Sequence, residues 1–151
     1  MALGNLLGLH SLCVHAPECG TAIAVEHNGD VYSCDHYVEP GYQLGNVATM
    51  ALHAIVGSSA QRQFGRSKRT SLPRQCQECP VLWACHGGCP KDRFAMAADG
   101  EPNLNYLCPG YQRFFSRTKP TLENIAHLLR NGRPAAEIML WATPGRSVQG
   151  D

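Results

Sequence analysis

Cys76–Pro90 reads CQECPVLWACHGGCP, which packs four cysteines, two prolines and an adjacent glycine pair into one short stretch. Thiols this dense call for a common partner. Cys13, Cys19, Cys34 and Cys108 bring the total to eight cysteines in 151 residues. In a small secreted domain an even count of this kind reads as a disulfide framework. The opening MALGNLLGLHSL, however, has no positive n-region, and Gly4, Asn5 and Gly8 interrupt its apolar run, so it resembles neither a signal peptide nor a membrane span. A cytoplasmic, reducing location is then the default. There, clustered cysteines point to metal rather than cystine.

Charge narrows the field further. With 13 basic and 12 acidic side chains spread along the chain, the net charge is +1, and no basic face recommends nucleic acid or an anionic membrane as a partner. The length is that of one domain.

Outward from the cysteine-rich stretch, TAIAVEHNGDVYSC (Thr21 to Cys34) sets Asn28-Gly29 between two runs of β-branched and aromatic residues, a hairpin signal. A two-residue turn puts His27 opposite Asp30, Val25 opposite Tyr32 and Ile23 opposite Cys34. Cys13, Cys19 and Cys34 then meet at one end of the hairpin. Strand alternation turns Asp35 away from the face that Cys34 presents. Val47, Met50, Ala51, Ile55 and Val56 have helical spacing and read as core, and Ser58 or Ser59 caps a second helix through Gln61 and Phe64. The run RSKR (Arg66 to Arg69) reads as a solvated helix end. Leu82 and Trp83 are expected to pack over whatever the sulfurs hold, and Gly87-Gly88 to bring backbone N–H groups close to sulfur. KDRFAMAA (Lys91 to Ala98) reads as a short helix. Pro109 opens a long one with Tyr111, Phe114, Phe115, Leu122, Ile125 and Leu128 on its apolar stripe, kinked or restarted at Pro120 and closed by Gly132. A last amphipathic piece runs from Pro134 to Trp141, and the tail TPGRSVQGD is expected to be disordered.

The thiol spacing is C-x2-C-x5-C-x3-C-P over Cys76, Cys79, Cys85 and Cys89. Two zinc sites of four ligands each would use all eight thiols, so zinc stays open. The C-x3-C-P ending is instead that of the bacterial ferredoxin run, in which the last cysteine leaves its neighbours for the other cluster. On that pattern Cys13, Cys19, Cys34 and Cys89 hold one 4Fe–4S cluster, while Cys76, Cys79, Cys85 and Cys108 hold a second. Cys89 would tie the cysteine-rich loop to the hairpin.

The C-x9-G-x4-C of Cys19, Gly29 and Cys34, followed by Cys76 to Cys89 and by Cys108, resembles the seven-cysteine SPASM domain of radical SAM peptide-modifying enzymes. Cys13, the block CDHYVEPGYQLGN (Cys34 to Asn46) and CHGGCPKDRF (Cys85 to Phe94) resemble anaerobic sulfatase-maturating enzymes more narrowly. The resemblance implies two auxiliary clusters with the ligand sets above, and a function in oxidising a sulfatase serine or cysteine to formylglycine. It also implies that Asp35 is the general base, while Tyr37 and Tyr42 are candidates for lining the peptide channel. The radical would come from S-adenosylmethionine cleaved in a separate barrel, because no C-x3-C-x2-C triplet occurs here: Asp92 stands where its third cysteine would be. This chain by itself is not expected to cleave S-adenosylmethionine.

The expected fold is α+β, a small β-hairpin plus helices around two cysteine-ligated clusters. Residues 1–12 would form a lead-in, 13–131 the cluster domain, and 132–151 a C-terminal helix and tail. The other readings are a stand-alone electron-transfer module and a zinc-stabilised interaction domain. Partners would be a sulfatase or other peptide and a radical SAM barrel.

Overall fold

A short helix, α1 (Ala2–Leu6), opens the chain in the computed structural model, which describes residues 2–9 and 12–141. Asn5 fastens it to the cysteine-bearing segments: its Nδ2 donates to the carbonyls of His15 (2.9 Å), Trp83 (3.3 Å) and Ala84 (3.1 Å).

The hairpin forms where Asn28-Gly29 places it, but its register is one residue away from the expected one. β1 (Ala24–Val25) and β2 (Asp30–Tyr32) pair with Ala24 opposite Tyr32 and Val25 opposite Val31. The turn has three residues, not two. The Glu26 N–H donates to the Asp30 carbonyl at 2.8 Å, and only Gly29 takes a positive φ, +88°. A glycine in the left-handed region closing a three-residue loop replaces the type I′ turn, which needs two such residues. Asn28 helps by accepting the Asp30 N–H on its side-chain oxygen at 3.0 Å. A third strand, β3 (Gln43–Asn46), adds to β2, so the hairpin is part of a three-stranded antiparallel sheet. Val31 at its centre is fully buried.

After the sheet, Asn46 holds a turn where helix was expected: its side-chain oxygen accepts the Ala48 N–H at 2.8 Å and its carbonyl accepts those of Thr49 and Met50. Asparagine turns compete with helix in this way. α2 is therefore confined to Leu52–Val56, with Ile55 buried, while Val47 and Met50 are exposed rather than core. α3 (Ser59–Thr70) follows, and Ser58 caps it by accepting the Gln61 N–H at 3.2 Å. Its buried residues are Gln61, Gly65 and Lys68, one face at helical spacing. Lys68 is thus not part of a solvated end, as its basic neighbours had suggested.

Two single-turn helices carry the dense thiols, α4 (Arg74–Gln77) and α5 (Leu82–Cys85). The segment expected as a helix from Lys91 is instead one 3₁₀ turn (Pro90–Asp92) and then extended backbone. Ala95 and Leu104 exchange both backbone hydrogen bonds at 3.0 Å, and Gly100, φ +87°, turns the chain between them. Ala97 is buried while Phe94 and Met96 are exposed, a period of two that favours strand over helix.

The long helix α6 (Cys108–Arg130) opens at Pro109 and runs through Pro120 without a break. Phe115, Ala126 and Leu128 are its buried residues. Phe114, one position off that face, is 58% exposed and only touches Phe115 edge-on, so it does not belong to the core stripe. Phe115 packs with Ala2, Val81 and Ala84, flanked by Trp83, Tyr111 and Leu122. A second small core joins Leu72, Cys76 and Leu104, with Leu82 and Cys108 against it. The last described element is α7 (Ile138–Trp141), after a 3₁₀ turn at Ala135–Glu137. The tail TPGRSVQGD lies outside the described residues. The architecture is α+β, and among the described residues no helix is long and apolar enough to cross a membrane.

Candidate metal centres

Cys13, Cys19, Cys34 and Cys89 come from four separate segments and line one cavity of about 270 Å³. α3 supports three of those segments. The Cys19 N–H donates to the Gly65 carbonyl at 3.1 Å, and a Cβ at Gly65 would stand 2.6 Å from the Cys19 oxygen, so only glycine permits this approach. Gln61 Nε2 donates to the carbonyls of Gly20 and Ser33, both at 3.1 Å, which couples the Cys19 loop to the residue before Cys34. Lys68 Nζ donates to the carbonyls of Cys13, Val14 (3.1 Å) and Ala16 (2.6 Å).

Cys76, Cys79, Cys85 and Cys108 form the other group: Cys76 is in α4, Cys79 between α4 and α5, Cys85 at the end of α5 and Cys108 at the start of α6. The loop after α5 takes three successive left-handed residues, with φ of 46° at His86, 73° at Gly87 and 62° at Gly88. This aims the Gly87 N–H at Cys85 Sγ, 3.2 Å away. Gln112 Nε2 lies 3.6 Å from Cys79 Sγ. The expected N–H donation to sulfur from the glycine pair is present.

All eight cysteines are free thiols. For Cys19, Cys34, Cys76, Cys85, Cys89 and Cys108, the cysteines that act on each thiol fall inside its own group. Cys76 feels Cys108, Cys85 and Cys79, whereas Cys19 feels Cys13 and Cys89, and Cys89 feels Cys13. Burial pushes Cys34 and Cys76 up to about 11 and raises Cys19, Cys85, Cys89 and Cys108. Two sets of four thiols, the second with N–H groups directed at Cys85 and Cys79, suit four-iron clusters, for which cysteine is the usual ligand and hydrogen bonds to sulfur tune the potential.

Asp35 does not turn away from Cys34. The strand has ended by Tyr32, and Cys34 instead precedes a 3₁₀ turn over Asp35–Tyr37, so strand alternation does not apply. The Asp35 carboxylate lines the same cavity and accepts from the Cys34 thiol at 3.1 Å, a bond that holds the carboxyl below its usual range. His36 Nδ1 lies 3.4 Å from Cys89 Sγ. Tyr37 stands in the cavity wall, with Lys91 Nζ 4.8 Å above its ring. Tyr42 lies beside Tyr37, ring centroids 4.5 Å apart, and both meet Phe64. Tyr42 does not line the cavity.

Thiols gathered in this way make a metal-binding module. Residues 13–80 match the SPASM family, described as an iron–sulfur cluster-binding domain, and the chain carries such a domain. It is similar to anaerobic sulfatase-maturating enzymes. Identity is 47% with the serine-type enzyme of Bacteroides thetaiotaomicron, over 91% of this chain and 33% of that one. Identity is 32% with the cysteine-type enzyme of Clostridium perfringens, over 83% of this chain and 33% of that one. The solved structure of native anSMEcpe with bound AdoMet superposes with a TM-score of 0.70 and 31% identity, covering 83% of this chain and 34% of that chain. The chain thus spans about a third of the length of these relatives.

The residues that sequence reading passed over are Gln61, Gly65 and Lys68 on α3, and Arg93. Their signal was faint but present: polar or small residues at positions 61, 65 and 68 share one helix face, where solvent-facing positions would be scattered.

Proposed function

We propose that this chain is the auxiliary-cluster and substrate-facing part of an anaerobic sulfatase maturase, which oxidises a serine or cysteine of a sulfatase to formylglycine. One observation carries the reading: four thiols from distant segments share a cavity whose wall also holds the Asp35 carboxylate. In this reading Cys13, Cys19, Cys34 and Cys89 hold one 4Fe–4S cluster, and Cys76, Cys79, Cys85 and Cys108 hold the other. The cluster-bearing unit is residues 13–131, with 1–12 leading in and 132–151 following. A radical SAM domain, in the same polypeptide or another, would abstract the substrate hydrogen. The likeness to maturases solved with AdoMet and a Kp18Cys peptide supports a peptide as substrate.

Once that hydrogen is gone, the substrate must lose one proton and one electron. When bound, a cluster supplies the acceptor for the electron. Asp35 supplies the acceptor for the proton. A carboxylate is ionised at neutral pH, and this one is exposed at the surface of the cavity where a substrate side chain can reach it. Tyr37 would present its ring beside that carboxylate, and Tyr42 would back it.

The test is Asp35→Asn in the reconstituted maturase. Turnover should fall by about 10²–10⁴-fold, the range for losing a general base, with iron content unchanged. Undiminished turnover would favour an electron-transfer module without acid–base chemistry. Metal analysis that finds zinc without iron or sulfide would favour the zinc-stabilised interaction domain.

A further inference from the structure

Two cations lie buried between the thiol groups. Lys68 is fully buried, and its Nζ donates to the carbonyls of Cys13, Val14 and Ala16. Three acceptors around one nitrogen need three N–H bonds, which the ammonium has and the neutral amine lacks. Arg93, 7% exposed, is charged at any working pH. Its Nε donates to the Gly87 carbonyl at 2.9 Å, and its Nη1 to the Lys68 carbonyl at 2.6 Å and to Ser71 Oγ at 3.3 Å. Its Nη2 donates to the carbonyls of His86 at 3.1 Å and Gly88 at 3.3 Å.

Every one of these acceptors is a neutral oxygen, and among the described residues neither cation forms an ion pair with a carboxylate. Neutral oxygens repay only part of the cost of taking a charge out of water. The groups that would carry the opposing charge are the thiols. Lys68 feels chiefly Cys19, Cys13 and Cys89 of the first group, and Cys85 of the second feels Lys68 more weakly, whereas Arg93 feels Cys76 and Cys85 of the second as well as Cys19 and Cys89 of the first. A four-iron cluster closed by four thiolates is a net anion in both of its usual redox states.

Resting on the cluster reading above, we infer that Lys68 and Arg93 are the built-in counter-ions of the two cluster sites, Lys68 serving the first and Arg93 shared by both. They are also positioning residues. Lys68 clamps the Cys13 loop to α3, and Arg93 clamps the loop between Cys85 and Cys89 to the backbone of Lys68, so one relay of hydrogen bonds spans both centres. Reduction adds negative charge to a cluster, and a nearby cation favours the reduced form. Removing the Lys68 charge should therefore lower chiefly the midpoint potential of the first group, and removing the Arg93 charge should lower both.

The experiment is a redox titration of the anaerobically reconstituted protein, followed by EPR, with iron counted on each sample. Lys68→Met is expected to shift one potential downward by more than the other, while Lys68→Arg returns it towards the wild-type value. Arg93→Met should shift both. Full iron content with unchanged potentials in Lys68→Met would overturn the inference, as would Lys68→Arg falling as far as Lys68→Met, since shape rather than charge would then matter. Should Lys68→Met hold no iron, Lys68→Arg and Arg93→Lys decide: near-wild-type potentials support the inference and a marked drop overturns it. Wild-type protein that takes up no iron would defeat the cluster reading first and this inference with it.

Discussion

At the scale of single residues, the thiols set a pH dependence. Cys34 and Cys76 are pushed by burial from the ordinary value of 9.0 to about 11. A folded-state pKa raised in this way contributes stability that is complete below the unfolded value and is lost as pH climbs to the folded one. These two thiols therefore leave the urea midpoint of metal-free protein unchanged up to about pH 8.5 and lower it between 9.0 and about 11. A flat midpoint across that window would contradict the burial of these thiols. The same protonation makes metal uptake release about one proton per thiol engaged near neutral pH, which calorimetry in buffers of different ionisation enthalpy reads directly.

Among elements, α3 is the one whose role differs most from its sequence pattern. Its inward face is Gln61, Gly65 and Lys68, and with it the helix grips loops instead of filling a core. Gly65→Ala should force α3 away from Cys19, whose carbonyl would lie 2.6 Å from the new Cβ. We expect a cost of about 1–3 kcal/mol and selective loss of metal from the group that includes Cys19. Equal loss from both groups would mean that the helix does not serve one group in particular. The sheet shows why part of the fold was legible and part not. Asn28-Gly29 marked the hairpin, because turn chemistry is local. The register escaped, because a two-residue and a three-residue loop can share the same Asn-Gly and differ only in which residues take positive φ. Strand β3 escaped too, since Gln43–Asn46 is short and held by its neighbour Val31 rather than by its own pattern. At the site, cysteine spacing carried the grouping of the thiols. It carried nothing about Lys68 or Arg93, whose burial arises from tertiary packing, and strand alternation misplaced Asp35 by extending a strand that stops at Tyr32.

For the whole molecule, Cys89 links the two groups of thiols. It follows the Cys76–Cys85 run in sequence, yet it lines the cavity of Cys13, Cys19 and Cys34. On the proposed ligand sets, Cys89→Ala should empty or convert the first cluster and loosen the second through the shared loop, which protease sensitivity of the 86–93 segment would report. Damage confined to the Cys76 group would reverse the assignment of Cys89. The likeness to maturases reaches over about a third of their length, so the radical chemistry proposed for the assembly is to be sought with a radical SAM domain present.

The most direct test of the central claim is iron and acid-labile sulfide content with Mössbauer spectroscopy on anaerobically reconstituted protein. Two four-iron clusters predict about eight irons and about eight sulfides per chain with 4Fe–4S parameters. About four irons, or zinc in place of iron, would contradict it.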